Sequence, residues 1–128
     1  MRALVCKEFG PTENLALEEV EAPTPGKGEI LMDIKATGVN FPDVLTVQGK
    51  YQFKPELPFI PGAELAGVVT AVGEGVTSRK LGDKVIATTQ IGAFAEQCVV
   101  NEHTTFEMGN TMSFEQAAGF VAKPAKWW

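Results

Sequence analysis

The chain has 128 residues, of which 45% are hydrophobic and 21% are charged. This length and composition are typical of a single soluble globular domain. The net charge is −5 and the basic residues are spread along the chain, so neither a nucleic-acid-binding nor an anionic-membrane-binding surface is indicated. No apolar run reaches membrane-spanning length, and Lys7 and Glu8 interrupt the apolar run after Met1, so no signal peptide is predicted. We therefore expect a cytoplasmic protein.

Short β-strands separated by Gly- and Pro-rich turns dominate the pattern. The clearest alternation of apolar and polar residues covers 29–39, after a connector at 23–28. The predicted strands cover residues 2–7, 15–20, 29–39, 65–72, 85–89, 93–100 and 104–108. This succession predicts a mainly β fold, a barrel with small helical pieces.

Two short helices are predicted, at residues 42–48 and 113–121. Pro42 suits the first turn of the earlier helix, and Gly49 ends it. Ser113 and Gln116 form a capping-box pattern that opens the later helix.

The segment 50–62 is predicted to be a loop, because its prolines are incompatible with a helix or a central strand. We expect packing of large side chains to hold this loop in place. Its expected anchors are Tyr51, Phe53, Leu57 and Phe59.

The two cysteines are predicted to be reduced and buried. Cys6 and Cys98 are far apart in the sequence, and each lies inside an apolar, strand-like run. A disulfide would require the fold to bring them together. His103, the only histidine, follows a strand in a polar turn, which indicates a surface imidazole.

The last seven residues do not fit the preceding pattern. Pro124 interrupts the expected helix, and adjacent Trp127 and Trp128 are unusual at a solvated chain end. Either the tryptophans dock on an exposed apolar surface, or the sequence leaves its native frame near residue 121. We therefore divide the chain into a domain at 1–121 and an anomalous tail at 122–128.

Asn40 and Tyr51 are the candidate ligand-binding residues, because both are polar and lie on loops between strong strand signals. The Asn40 amide can orient a carbonyl group, but from the residues alone the favoured role is closing its own turn. Tyr51 can stack on a flat ring and present its hydroxyl, or it can anchor its loop against Phe53 and Pro55. For Tyr51 the two roles stay open.

Five motifs occur in an order that resembles a known family. They are GVNFPDVL at 38–45, PGAELAGVVTAVGEGV at 61–76, GDKV at 82–85, GAFAE at 92–96 and SFEQAA at 113–118. Over roughly residues 1–120 the chain resembles the medium-chain dehydrogenase/reductase superfamily, in its zinc-independent NADPH:quinone oxidoreductase branch. The resemblance implies that residues 1–121 are the GroES-like (alcohol dehydrogenase-like) substrate domain, a partly open β-barrel with short helices.

The resemblance also implies a function: an NADPH-dependent reductase that passes hydride or electrons to a quinone or conjugated enone. Asn40 matches the asparagine that lies beside nicotinamide and substrate in quinone reductases, and Asn40 and Tyr51 would together orient the acceptor. Leu45 stands where some relatives have a second tyrosine, which makes the pocket more apolar. Water or a hydroxyl would supply the proton, and no residue is indicated as an essential acid–base catalyst.

No metal is implied. Zinc-dependent relatives bind their catalytic metal with a Cys and a His at the positions of Asn40 and Ala63, and asparagine is a poor zinc ligand and alanine none. The four cysteines of the structural zinc site are missing too. Glu64 stands where those relatives keep a carboxylate behind the zinc, and here we expect an ion pair with a basic residue. Asp43 is expected to cap the N-terminus of the first helix.

The sequence lacks a dinucleotide-binding fingerprint. Gly73-Glu74-Gly75 is not followed by a third glycine and is interpreted as a turn between strands. Relatives carry a Rossmann domain after this region, so we expect the chain alone to be inactive, and the preference for NADPH over NADH rests on the family. The alternative is a non-enzymatic module: a truncated folding unit, or a barrel that self-associates, for example as a homodimer, through its exposed interdomain face.

Overall fold

The structure is a computed structural model that describes residues 1–119 and consists mainly of β-strands. The strands are β1 (Arg2–Val5), β2 (Ala16–Glu19), β3 (Glu29–Gly38), β4 (Glu64–Val72), β5 (Lys84–Thr88), β6 (Gln97–Asn101) and β7 (Thr105–Glu107). The helices are α1 (Phe41–Gln48) and α2 (Phe114–Ala118). The mainly β class predicted from the turn-separated strand pattern is confirmed.

Five strands form one antiparallel sheet in the order β6-β3-β4-β5-β7, and β1 pairs with β2 in a second sheet. Isolated bridges link Ala3 of β1 with Ala95, just before β6, and Cys6 with Phe59 in the loop before β4. The bridges place β1 and the residue after it against these two segments of the chain.

The interior lies between the inward faces of the longest strands. On β3, Ile30 and Met32 have no exposed surface, as the alternation of apolar and polar residues predicts. The main cluster consists of Ile30, Met32, Leu65, Val69, Val85, Ala87, Ala93, Cys98 and Val100. Cys98 and Cys6 are free and buried, which confirms the prediction, and burial raises the pKa of the Cys98 thiol to about 11.

Several elements are shorter than predicted, and the largest difference is in the strand predicted at 93–100. The strand predicted at 93–100 begins only at Gln97, because Ala93 and Phe94 donate their backbone N–H groups to the oxygens of Gly62 and Pro61 instead of to a neighbouring strand. The later helix begins at the predicted place, where Ser113 and Gln116 form a capping box. Its predicted last turn and the tail at 122–128 lie outside the described residues.

The loop between α1 and β4 is irregular, as its prolines predict. Phe59 anchors it: the ring is buried, and the backbone exchanges hydrogen bonds of 2.8 and 3.0 Å with Cys6. Leu57 was expected to be an anchor, but it is 40% exposed, so that prediction was wrong. Leu57 precedes Pro58 in a cis peptide bond, and bends flank this bond on a surface stretch of the loop.

Candidate functional site

Asn40 lies at the junction where β3 ends and α1 begins. It is the N-cap of α1, with extended backbone angles of φ −127° and ψ 161°. The carboxylate of Asp43 accepts the backbone N–H of Asn40 at 2.8 Å, and the backbone N–H of Asp43 donates to the backbone oxygen of Asn40 at 3.0 Å. Asp43 therefore caps the helix as predicted, and this local arrangement fixes the position of the Asn40 backbone.

The side chain of Asn40 contacts a carboxylate from another strand. Its Nδ2 donates to Oε1 of Glu64 at 3.0 Å. Glu64 is the first residue of β4, pairs with Gly38 in the β3–β4 register and is 1% exposed. The sequence indicated a basic partner for Glu64; it did not indicate the Asn40 amide, and the basic partner stays a prediction.

Gly38 makes room for the Glu64 carboxylate. A Cβ atom built on Gly38 would lie 1.8 Å from Glu64 Oε1 and 3.1 Å from the backbone oxygen of Ala118. No side chain larger than hydrogen fits beside the carboxylate in this position. The glycine two residues before Asn40 was the available sequence signal for this contact, but only the structure shows what fills the space.

Asp43 is the second buried carboxyl group near Asn40 and is 7% exposed. Burial raises its pKa above the ordinary value of 3.8; the hydrogen bond from the Asn40 N–H opposes this shift, and the nearby charge of Glu64 adds to it. Two carboxyl groups, one from α1 and one from β4, therefore surround the Asn40 cap from the protein side.

The two residues next to Asn40 in the sequence are apolar and largely exposed. Val39 and Phe41, its two neighbours in sequence, are each 71% exposed. Asn40 itself is half-buried. Small-molecule sites are mostly apolar with a few polar groups, so Asn40 stays a candidate ligand-binding residue.

Leu45 and Tyr51 follow on the same stretch of chain, and both are half-buried. Leu45 lies within α1, and Tyr51 follows the left-handed Gly49 that ends the helix. An eight-residue helix is about 12 Å long, so Asn40 and Tyr51 extend from opposite ends of α1. Among the described residues, no hydrogen bond joins any two of these three side chains.

A shallow cavity of about 340 Å³ lies elsewhere, between β1, β3 and the segment before β6. It is lined by Leu4, Ile34, Lys35, Ala36, Thr37, Val39, Ala93, Phe94 and Ala95. Of the two sequence neighbours of Asn40, Val39 lines this cavity and Phe41 does not.

Residues 1–119 contain no group of three or more His, Cys, Asp or Glu side chains placed to hold a metal ion. His103 is 83% exposed, which confirms the predicted surface imidazole. In the same part of the chain, no helix has the length and apolar character needed to cross a membrane.

Sequence comparison places the fold in a known family. The model of the alcohol dehydrogenase GroES-like domain matches residues 26–124. The chain belongs to this family. It is 42% identical over 123 residues to the rat (Rattus norvegicus) synaptic vesicle membrane protein VAT-1 homolog, and 38% identical over 120 residues to the quinone oxidoreductase of Lama guanicoe. These alignments cover 94% and 92% of this chain but only 30% and 36% of the relatives.

Solved structures agree with this assignment. The Escherichia coli quinone oxidoreductase in complex with NADPH matches with a TM-score of 0.89 and 32% identity, covering 94% of this chain and 37% of that chain. The human synaptic vesicle membrane protein VAT-1 homolog-like protein matches with a TM-score of 0.91 and 36% identity, over 94% of this chain and 39% of that chain. The chain is thus similar over most of its length to quinone oxidoreductases and VAT-1 homologs, and it spans about a third of the length of these relatives.

Proposed function

We propose that the chain is the substrate-binding domain, at residues 1–121, of an NADPH-dependent, zinc-independent quinone oxidoreductase that reduces a quinone or conjugated enone. One observation carries the proposal: the Asn40 amide is held by Glu64 at 3.0 Å between Val39 and Phe41, which are each 71% exposed. The relatives called quinone oxidoreductases, one of them solved with NADPH, support the reaction class. The chain spans about a third of the length of these relatives, so we expect the whole activity to require a longer chain.

The residues near Asn40 fit the nicotinamide end of the cofactor. One N–H of the Asn40 amide is bound by Glu64, which leaves the second N–H to donate to a carboxamide or carbonyl oxygen. When bound, NADPH supplies the hydride for the conjugated acceptor. Asn40 holds the polar end of the ligand, and Val39 and Phe41 shield its flat face from water.

Leu45 and Tyr51 complete the proposed site on the helix side. Leu45 contributes an apolar wall, and the Tyr51 ring and hydroxyl can bind the far end of an aromatic acceptor. Since Asn40 and Tyr51 extend from opposite ends of α1, we expect them to contact different parts of the ligand. Their role is orientation, and a proton for the reduced product comes from water.

The first test is binding to the 128-residue chain. Calorimetry with NADPH up to about 1 mM detects binding worth about 4 kcal/mol, and we expect no saturation. In two-dimensional NMR, millimolar cyclohex-2-enone should shift the signals of Asn40, Leu45 and Tyr51. Saturation by NADPH would contradict our expectation that this chain holds only part of the cofactor site. An enone that leaves these three signals unchanged would contradict the proposed substrate site.

A matched pair of asparagine variants makes this test specific. Asn101 also caps a short helical turn, at Glu102–Thr104, with its side-chain oxygen on the N–H of His103 at 2.8 Å. Asn40→Ala should weaken enone binding by roughly tenfold, the size of one hydrogen bond of about 1.4 kcal/mol, and Asn101→Ala should leave it unchanged. Equal losses in both variants would mean that the effect comes from the fold.

The alternative function, a self-associating barrel module, is favoured by the exposure of Val39 and Phe41. It predicts a sedimentation coefficient that rises with concentration and returns to the monomer value in Phe41→Ser. For the substrate-domain proposal we expect the same sedimentation for Phe41→Ser and the unchanged chain, and weaker enone binding in the variant.

A further inference from the structure

A buried carboxylate lies directly behind the proposed ligand-binding amide. Glu64 is 1% exposed, yet its Oε1 accepts a hydrogen bond from Nδ2 of Asn40, which is half-buried. Burying a carboxylate is costly, and a hydrophobic residue would fill a strand position in a barrel more cheaply. The contact therefore calls for an explanation beyond packing.

An ionised carboxylate can only accept hydrogen bonds, so it distinguishes the two ends of an amide. The nitrogen end of Asn40 must face Glu64, since the oxygen end would place two acceptors against each other. The backbone N–H of Asp43 donates to the backbone oxygen of Asn40 at 3.0 Å, and the Asn40 side chain makes no capping hydrogen bond of its own. The contact with Glu64 is therefore the interaction that favours one orientation of the amide.

Gly38 fixes the position of the carboxylate itself. The oxygen that a Gly38 Cβ would meet at 1.8 Å is Oε1, the same atom that accepts the Asn40 hydrogen bond. Gly38 does not have a positive φ angle, so the glycine is needed for space and not for backbone conformation. The short sequence from Gly38 to Asn40 thus both admits the carboxylate and binds to it.

We infer that Glu64 is a positioning residue: it fixes the Asn40 amide with its nitrogen inward, so that the second N–H is the group offered to a ligand carbonyl. This inference rests on the proposed function for its ligand, a quinone, an enone or the nicotinamide carboxamide. A fixed amide presents a donor to every ligand that binds. An amide free to turn over would present an acceptor to half of them and repel the carbonyl.

The Asn40 side-chain amide can be observed directly by NMR in the 128-residue chain, without any ligand. In the unchanged chain we expect slow hydrogen exchange of one Asn40 Nδ2 proton. In Glu64→Gln the partner can present either an oxygen or a nitrogen, so this exchange should become about tenfold faster. Unchanged exchange in Glu64→Gln would overturn the inference.

Three further variants separate positioning from general stability. Gly38→Ala displaces the carboxylate without changing its charge and should also speed the Asn40 exchange. Glu64→Asp keeps a carboxylate, so the Asn40 Nδ2 proton should exchange more slowly in this variant than in Glu64→Gln. Glu102→Gln changes a carboxylate that is similarly buried, at 7% exposure, but has no contact with Asn40 among the described residues, and it should have no effect. Faster exchange in Glu102→Gln as well would show loosening of the whole fold and contradict the specific role.

Ligand binding then links the orientation to function. With cyclohex-2-enone as the probe, Glu64→Gln should raise the dissociation constant at least about twofold, the factor expected when half of the amides are reversed. If the unchanged chain binds no enone, the proposed function fails, and a positioning role for a ligand fails with it. If the unchanged chain and Glu64→Gln bind enone equally well, the proposed function stands and only the role of Glu64 is refuted.

Discussion

Two corners of the barrel each bury a glutamate, and the two carboxylates are used differently. The Glu64 corner consists of Gly38, Asn40, Asp43 and Glu64, and the Glu102 corner consists of Ser78, Arg79, Glu102 and Thr105. The exposed fractions are 1% for Glu64 and 7% for Glu102. Burial alone therefore does not distinguish a structural carboxylate from one beside the proposed binding site.

The partners distinguish them. Oε2 of Glu102 accepts the hydroxyl of Ser78 at 2.5 Å and its backbone N–H at 3.3 Å, and Arg79 donates from Nε to Thr105 at 2.9 Å. All of these bonds tie the loop after β4 to the end of β6 and to β7. Glu64 instead accepts a bond from a half-buried side chain next to exposed apolar residues. The Glu102 corner closes a loop, and the Glu64 corner holds the side chain of the proposed ligand-binding residue.

The largest expected effect tests the space around Glu64. Gly38→Ala should lower the free energy of unfolding by about 1–3 kcal/mol, because its Cβ would overlap Oε1 of Glu64 at 1.8 Å. Urea unfolding followed by circular dichroism measures this loss. Glu64→Asp shortens the acidic side chain by one methylene. In a Glu64→Asp background, Gly38→Ala should therefore lower the free energy of unfolding by at least about 0.5 kcal/mol less than in the unchanged chain.

The control is another glycine whose Cβ would meet a glutamate. At Gly26 the nearest atom is Oε1 of Glu29 at 3.0 Å, on a half-buried side chain that can move. Gly26→Ala should therefore lower the free energy of unfolding much less than Gly38→Ala. Additive losses in Gly38→Ala and Glu64→Asp would contradict the view that the two residues share one space.

The sequence predicts the elements on both sides of this space but not the contact across it. The alternation at 29–39 and the glycine-rich run at 61–76 predict β3 and β4, and the residues Ser113 and Gln116 predict the start of α2, because these signals are local. Glu64 is 24 positions from Asn40, and only strand pairing brings them together. Leu57 was misassigned for a similar reason, since the side of the loop that packs is set by its neighbours in space.

The next expected effect distinguishes the Glu102 corner by its pH dependence. The Ser78 hydroxyl, through its hydrogen bond, is the main cause that lowers the pKa of Glu102 below its ordinary value of 4.5. A lowered pKa means that the bond stabilises the fold above about pH 4.5 and that this contribution is lost as the pH falls through the lowered pKa. Ser78→Ala should therefore lower the melting temperature at pH 7 and make less difference in acid.

Ser113→Ala is a suitable comparison for Ser78→Ala, because Ser113 caps α2 with a neutral hydrogen bond to the backbone N–H of Gln116 at 3.1 Å. Ser113→Ala should therefore lower the melting temperature by the same amount at pH 7 and in acid. A Ser78→Ala deficit that stays constant with pH would show that the hydroxyl does not act through the Glu102 charge.

The smallest expected effect concerns Asp43, whose pKa shift has the opposite direction to that of Glu102. Burial raises its pKa above 3.8, so the folded state holds this proton more tightly than the unfolded state, and the unchanged chain loses stability as the pH rises from about 3.8 through the raised pKa. Asp43→Asn carries no charge but keeps an oxygen that can accept the Asn40 N–H. Its stability relative to the unchanged chain should therefore increase with pH across that window, by less than about 1 kcal/mol.

Asp43→Ala separates charge from capping, because it also removes the acceptor that Asn40 uses at 2.8 Å. It should be less stable than Asp43→Asn at every pH, by about 0.5–1.5 kcal/mol. The nearby Glu64 charge adds to the raised pKa of Asp43, after burial, so in Glu64→Gln the carboxyl signal of Asp43 should titrate at lower pH by carbon NMR. An Asp43 titration that is the same with and without the Glu64 charge would mean that the two carboxyl groups act independently, and that the Glu64 corner is two separate contacts around Asn40.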